Sequence, residues 1–321
     1  MAEGFAGTRD GRVIKEMLPP ARRGPDDRPN PRPKHVSCLR PMKRILTAIL
    51  LILGTVSIIF FGQLWLTTLA ACLLAELAAF EYLGLANAGG ARVPRWWMAT
   101  ATAVVFLFTL PGFHNDAELP ALSILALALL AWTGFRAPLE RILPDAALGL
   151  FGLMYVAYPL TLLPLIWNRD DGKPLLLFLL VCVWAGDIAA FYVGRHFGRH
   201  KLSHLSPNKT WEGSLASVAG SVLAGLAVVV AGEALSARGN TVLHILEPVW
   251  QSIVLAVIIN LAAQLGDLLE SALKRGAGVK DSGTILPGHG GVLDRIDALL
   301  IAAPVLWCVL LLKDAFSLGR F

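Results

Sequence analysis

The chain has 321 residues, of which 55% are hydrophobic and 16% charged, and its mean hydropathy is +0.62. Soluble domains carry about 25% charged residues, so this composition excludes an ordinary soluble fold and implies an integral membrane protein. The formal charge of +5 does not call for nucleic acid, because much of the basic excess lies in one N-terminal segment. Cys38, Cys72, Cys182 and Cys308 are scattered and form no CxxC or CxH pair, which argues against structural zinc and a disulfide framework.

Residues 1–44 are rich in Arg and Lys, with Pro19, Pro20, Pro25, Pro29, Pro31, Pro33 and Pro41 spaced through them. A polar, Pro-rich, non-periodic stretch of this kind is predicted to be a disordered cytoplasmic tail. It suits contact with anionic lipid. No secretory signal peptide is read, since the first apolar run starts late and has no small-residue cleavage site behind it.

A spanning helix needs about 20 mostly apolar residues. Nine runs qualify, at 43–61, 65–87, 96–112, 119–135, 145–167, 174–194, 212–232, 248–270 and 291–312. The third and fourth are near the short limit, which leaves the count at eight or nine. The predicted fold is an all-α polytopic transmembrane bundle over residues 45–315. Arg92, Arg95, Arg136 and Arg141, the loop from Arg195 to Lys209 and the loop from Lys274 to His289 all fall on the side of the basic tail. The positive-inside rule then puts that side in the cytoplasm.

Several apolar runs carry polar residues that are expensive in lipid and so mark function or a partner. Glu76 and Glu81 lie in the second run; they point either into a cavity or, for Glu81, to the inner interface. Asp187 lies well inside the sixth. After it, His196, His200 and His204 recur every four residues, but the surrounding Lys and Arg suit a phosphate or headgroup better than a metal. Ser206-Pro207-Asn208-Lys209-Thr210-Trp211-Glu212-Gly213 then opens the seventh helix, with Thr210 as its predicted cap. Gly213, Ser217 and Ser221 make a small-residue stripe for close packing. On the eighth helix Asn260, Gln264, Asp267 and Ser271 share one face to within about 60°.

The segment from Ser271 to Asp297 is the densest in chemistry, and it is read as a loop. Lys274, Arg275, Lys280 and Arg295 can hold phosphates. Glycines including Gly290 and Gly291 let backbone approach a ligand closely. Asp281, Asp294 and Asp297 offer hard oxygen ligands, and Mg2+ typically takes one or two carboxylates plus substrate phosphates. A loop that only fixes topology needs none of these carboxylates. The combination suits a nucleoside triphosphate with its metal.

This segment resembles the signature of the CDP-diacylglycerol synthases, or phosphatidate cytidylyltransferases: S-x-x-K-R, K-D, H-G-G and D-R-x-D. Every fixed position is met, by Ser271, Lys274, Arg275, Lys280, Asp281, His289, Gly290, Gly291, Asp294, Arg295 and Asp297. The stretch from Ser206 to Gly213 is similar to that family's S-P-K-K-T-W-E-G, with Asn208 departing at the third place.

The resemblance implies a membrane enzyme that condenses CTP with phosphatidic acid to CDP-diacylglycerol and pyrophosphate, with Mg2+ as cofactor. Its metal ligands fall on Asp267 and Asp294, with Asp297 close by. Lys274, Arg275 and Lys280 are then expected to neutralise phosphates, Arg295 to orient a substrate and Ser271 or His289 to assist, with Asp281 in the same catalytic set. Asp187, Lys209, Ser271, Gly290 and Gly291 are expected to bind substrate. The expected partners are CTP, phosphatidic acid and membrane lipids, without nucleic acid and with homodimerisation left open. The expected location is the inner or plasma membrane with the site facing the cytoplasm. The rival reading is a CTP-dependent kinase of a lipid alcohol. A transporter is disfavoured because the intramembrane charges are not mirrored in two halves.

Overall fold

A bilayer offers no water to backbone amides, so a chain this apolar satisfies them within helices. The structure is a computed structural model that describes residues 39–113, 115–245, 248–283, 285 and 290–317. In these the chain forms α1 (Leu39–Phe61), α2 (Leu64–Ala88), α3 (Arg95–Leu107), α4 (Glu118–Arg136), α5 (Leu139–Gly152), α6 (Tyr158–Trp167), α7 (Gly172–Phe197), α8 (Trp211–Ser236), α9 (Val249–Gly276) and α10 (Leu293–Ser317). An isolated bridge pairs Lys201 with Thr210. The all-α bundle predicted from the sequence is the fold observed.

Among the described residues, seven stretches are long and apolar enough to cross a membrane: α2, α4, the continuous run Leu139–Trp167, α7, α8, α9 and α10. The chain is therefore a multi-pass membrane protein. Two of the nine expected runs are not among them: the first counts only as the shorter apolar helix Ile49–Phe61, and α3 has only 13 residues. At 1.5 Å per residue it is about 20 Å long, short of the roughly 30 Å core. It stops before Pro111 and Gly112, the latter at φ +94°, a conformation that a glycine tolerates and a helix does not. The first helix begins at Leu39, inside the stretch assigned to the tail; residues 1–38 lie outside the described residues.

The fifth run differs in the opposite sense, starting at Leu139 instead of residue 145. Arg141 reads as a loop residue, yet it and Glu140 are helical. Asp145 is buried and accepts from the Arg92 amide at 3.1 Å and from Arg141 Nη2 at 3.3 Å. Between α5 and α6 the helix widens into a π turn at Leu153–Ala157. Pro159 has no N–H for the carbonyl four residues back, that of Tyr155, which accounts for the irregularity.

Packing follows residue size. α7 and α8 lie against each other along most of their length, as do α9 and α10. Gly213 and Gly220 allow the first contact: a Cβ on Gly213 would sit 3.0 Å from the Ala190 carbonyl oxygen, and one on Gly220 2.6 Å from the Ala189 Cβ. Trp97, Phe178, Leu175, Leu179 and Leu300 fill the interior. At one end Trp167 Nε1 donates to the Ile59 carbonyl at 2.8 Å, and Arg169 grips Asp314 at 2.8 and 3.1 Å. The signature segment lies between α9 and α10 at the opposite end.

Candidate active site

The first part of the site is built by the connection from α7 to α8. Lys209 N–H bonds to the Ser206 carbonyl at 3.0 Å, closing a turn with Pro207 and Asn208 at its corners. Leu202 N–H reaches the Lys209 carbonyl at 2.9 Å and Trp211 N–H the His200 carbonyl at 3.0 Å. Thr210 then caps α8, its Oγ1 accepting from Gly213 N–H at 3.1 Å. This fixed frame delivers the Lys209 ammonium to Asp267 on α9, with which it forms an ion pair.

A cavity of about 360 Å3 lies beside that pair. Asp187, Lys209, Ser214, Gln264 and Asp267 supply its polar wall, and Phe191 and Leu202 an apolar one. Ile188, Phe191 and Tyr192 are exposed on the same part of α7. Behind the cavity a chain of amides and hydroxyls runs into the core. Gln264 Nε2 donates to Asn260 Oδ1 at 2.6 Å, and Asn260 Nδ2 donates to Ser217 Oγ at 2.9 Å and Ser221 Oγ at 2.7 Å. The predicted shared face holds for Asn260, Gln264 and Asp267, whereas Ser271 does not line the cavity. That face divides between a buried lock on α8 and the cavity wall.

The second part sits one to two turns further along α9. The segment read as a loop from Ser271 is helical to Gly276, so Ser271, Lys274 and Arg275 belong to α9 and the loop is 277–292. Lys274 therefore stacks one turn above Glu270, a residue sequence reasoning passed over, and the two form an ion pair with Glu270 fully buried. Lys274 Nζ also donates to Asp294 Oδ1 at 2.7 Å. Asp294, in the first turn of α10, accepts from Ser282 N–H at 3.1 Å and Gly291 N–H at 3.0 Å as well. Gly290 makes this approach possible at φ +85°, its Cβ position being 3.2 Å from Asp294 Oδ2.

The two parts communicate through Asp297. It lies within range of the charges of Asp267, Glu270 and Asp187, and Asp187 within range of Asp267, Lys209 and Arg295. The remaining signature residues are not gathered in. Arg275 is exposed and donates to the Val279 carbonyl at 3.3 Å, while Lys280 and Asp281 stand exposed on the loop. None of these, nor Ser271, Gly290 or Gly291, lines the cavity among the described residues. His289 lies outside the described residues. The histidines of the α7–α8 connection are tied separately: His196 Nδ1 is 2.8 Å from the Tyr192 carbonyl and His200 Nδ1 is 2.6 Å from Glu212.

Among the described residues no three His, Cys, Asp or Glu side chains meet closely enough to hold a metal as they stand. Asp267 and Asp294 instead each bind a lysine ammonium. Both nevertheless offer hard carboxylate oxygens, the donor type a divalent cation takes, and Asp267 lines the cavity.

The Cytidylyltransferase family matches residues 42–313 of this sequence. The chain is 33% identical to a phosphatidate cytidylyltransferase of Synechocystis over 83% of its own length and 95% of that protein's. It is 33% identical to one of Staphylococcus saprophyticus over 82% and 96%. Over 50% of this chain and 55% of the relative, identity to a Brucella suis phosphatidate cytidylyltransferase is 42%.

Proposed function

We infer that this chain, which belongs to the cytidylyltransferase family, is a phosphatidate cytidylyltransferase. It joins CTP to phosphatidic acid and releases pyrophosphate. The observation that carries the reading is a pair of lysine–aspartate contacts at one end of the bundle, Lys209–Asp267 and Lys274–Asp294, the first of them lining a cavity with a polar and an apolar wall. A nucleotide needs the cations and a diacyl lipid needs the apolar side.

Phosphatidate is an anion at neutral pH, so one of its phosphate oxygens serves as nucleophile without a protein base. It bonds to the α-phosphorus of CTP in line as the α–β phosphoanhydride bond breaks. Positioning and charge neutralisation are then most of the catalysis. Lys209, partly exposed, can turn from Asp267 to a phosphate oxygen, and Lys274 adds its charge beside Asp294. Arg275, Lys280 and Arg295 add cations at the cytoplasmic rim. Asp267 and Asp294, with Asp297 near, would hold Mg2+, which supplies Lewis-acid neutralisation of the triphosphate when bound. The exposed apolar residues of α7 give the lipid a path from the bilayer. The site faces the cytoplasm, where CTP is found.

The test is to incubate the purified protein with CTP labelled at the α-phosphorus, phosphatidic acid and Mg2+, beside Asp267→Asn. Label moves into the lipid phase with the parent and at least about 100-fold more slowly with the variant, as for loss of a carboxylate that would hold the metal. Label that stays aqueous as CDP, with a lipid alcohol required, would replace this reading by the kinase.

A further inference from the structure

Glu81 sits on α2, 201 residues from Ser282 and 212 from Leu293, yet it touches both. It is only 3% exposed. A buried carboxylate is costly unless hydrogen bonds hold it, and here they come from the signature loop. Ser282 Oγ donates to Oε2 at 3.1 Å and Leu293 N–H donates to the same oxygen at 2.8 Å. Leu293 is the first residue of α10, so the carboxylate also lies at the electropositive end of that helix.

The loop is shaped around this group. A Cβ on Gly283 would sit 2.8 Å from Glu81 Cγ, and one on Gly291 2.9 Å from Glu81 Cδ. Two separate points of the loop therefore close on one side chain from a distant helix. The same residues serve Asp294, which accepts from Ser282 N–H at 3.1 Å and Gly291 N–H at 3.0 Å. Ser282 is the hinge between the two carboxylates: its hydroxyl goes to Glu81 and its amide to Asp294.

We propose that Glu81 is a positioning residue for catalysis, a buried carboxylate on α2 that locks the loop between α9 and α10 so that Asp294 and Lys274 are held for the substrate phosphates. Glu81 touches neither substrate; it acts through Ser282 and Leu293. Both neighbours are donors, so the position demands an acceptor. Gln meets that demand with its carbonyl oxygen, and Leu, of similar size, does not.

The kinetic part of this inference rests on the cytidylyl-transfer reading; the structural part does not. Hydrogen exchange of residues 277–292 is measured on the full chain in lipid nanodiscs without substrate, for the parent, Glu81→Leu, Glu81→Gln and Ser282→Ala. In Glu81→Leu the loop exchanges at least about tenfold faster while α7 and α8 are unchanged, since local opening is set by local contacts. The kcat per folded molecule falls about 100-fold with KM for CTP within about threefold, as expected when alignment and not ground-state binding is lost. Glu81→Gln recovers kcat to within about tenfold of the parent.

Parent-like loop exchange in folded Glu81→Leu, or parent-like kcat with only a lower melting temperature, overturns the proposal in favour of a purely structural anchor. Should Glu81→Leu not fold, Ser282→Ala carries the test: faster exchange and a kcat loss of about three- to tenfold support it, and unchanged exchange overturns it. A parent enzyme that transfers no cytidylyl group would remove the proposed function and leave the exchange result to stand or fall separately.

Discussion

Lys209 and Lys274 each give an ammonium to an aspartate of the site, but their surroundings set different consequences for losing them. Lys274 is 14% exposed, and its partners Glu270 and Asp294 are 0% and 10% exposed. Removing the cation leaves buried carboxylates without it, which typically costs about 3–5 kcal/mol. Lys209 and Asp267 are 24% and 35% exposed, so water substitutes for a lost partner and the pair contributes little to folding. Lys274→Met is therefore expected to lower the melting temperature sharply, whereas Lys209→Met melts close to the parent. Both lose activity; for Lys209→Met, kcat/KM falls by about 10- to 100-fold, the value of one charge-assisted phosphate contact. Melting curves in detergent alongside initial rates separate the two. Equal melting temperatures would mean that Glu270 and Asp294 find other cations.

Helices were legible in the sequence wherever an apolar run was long and uninterrupted, and less so where charge was neutralised by a residue elsewhere in the chain. Residues 139–144 looked like loop because the partner of Asp145 is partly the Arg92 amide, 53 positions away. The last turns of α9 looked like loop because Lys274 and Arg275 read as polar, although Glu270 one turn below Lys274 makes that turn a favourable helical pair. Glu270 itself is visible in the sequence as the second carboxylate of α9, three residues after Asp267. Glu81 was seen but could not be assigned, since no local pattern reveals a contact over 200 residues. The stripe of Gly213, Ser217 and Ser221 was read as packing, and the two serines prove also to hold Asn260.

That close packing gives the element-scale expectation. Gly220 faces Ala189 with no space for a methyl group, so Gly220→Ala forces α7 and α8 apart. Overpacking of this sort costs about 1–3 kcal/mol. A displaced α7 also moves Asp187 from the cavity. Gly54, with open space around its Cβ position, is the control: Gly54→Ala is expected to melt at or slightly above the parent, because Ala favours a helix over Gly by about 1 kcal/mol. Thermal melts of both variants, read side by side, test the packing. A Gly220→Ala protein as stable as the control would show that α7 and α8 are further apart than described.

For the molecule as a whole, the decisive asymmetry is between the two ends of the bundle. One end carries Arg92, Arg95, Arg136, Arg141, the Arg199–Lys209 connection and the signature loop. The other carries the junctions tied by Trp167 to Ile59 and Arg169 to Asp314. α7 joins the ends: its 26 residues span about 39 Å, enough for a core of roughly 30 Å. Asp170 and Lys201 flank it and are both exposed, so they must lie on opposite faces of the membrane. On the proposed function the site's end, with its excess of Arg and Lys, faces the cytoplasm, the side where a nucleoside triphosphate is available as substrate. Single cysteines at these two positions, in a chain otherwise free of cysteine, make the assignment measurable. In intact cells an impermeant maleimide is expected to label Asp170→Cys and to reach Lys201→Cys only after permeabilisation. The reverse pattern would put the lysines and aspartates of the site away from CTP, and would remove the cytidylyl-transfer reading with it, however well the residues match.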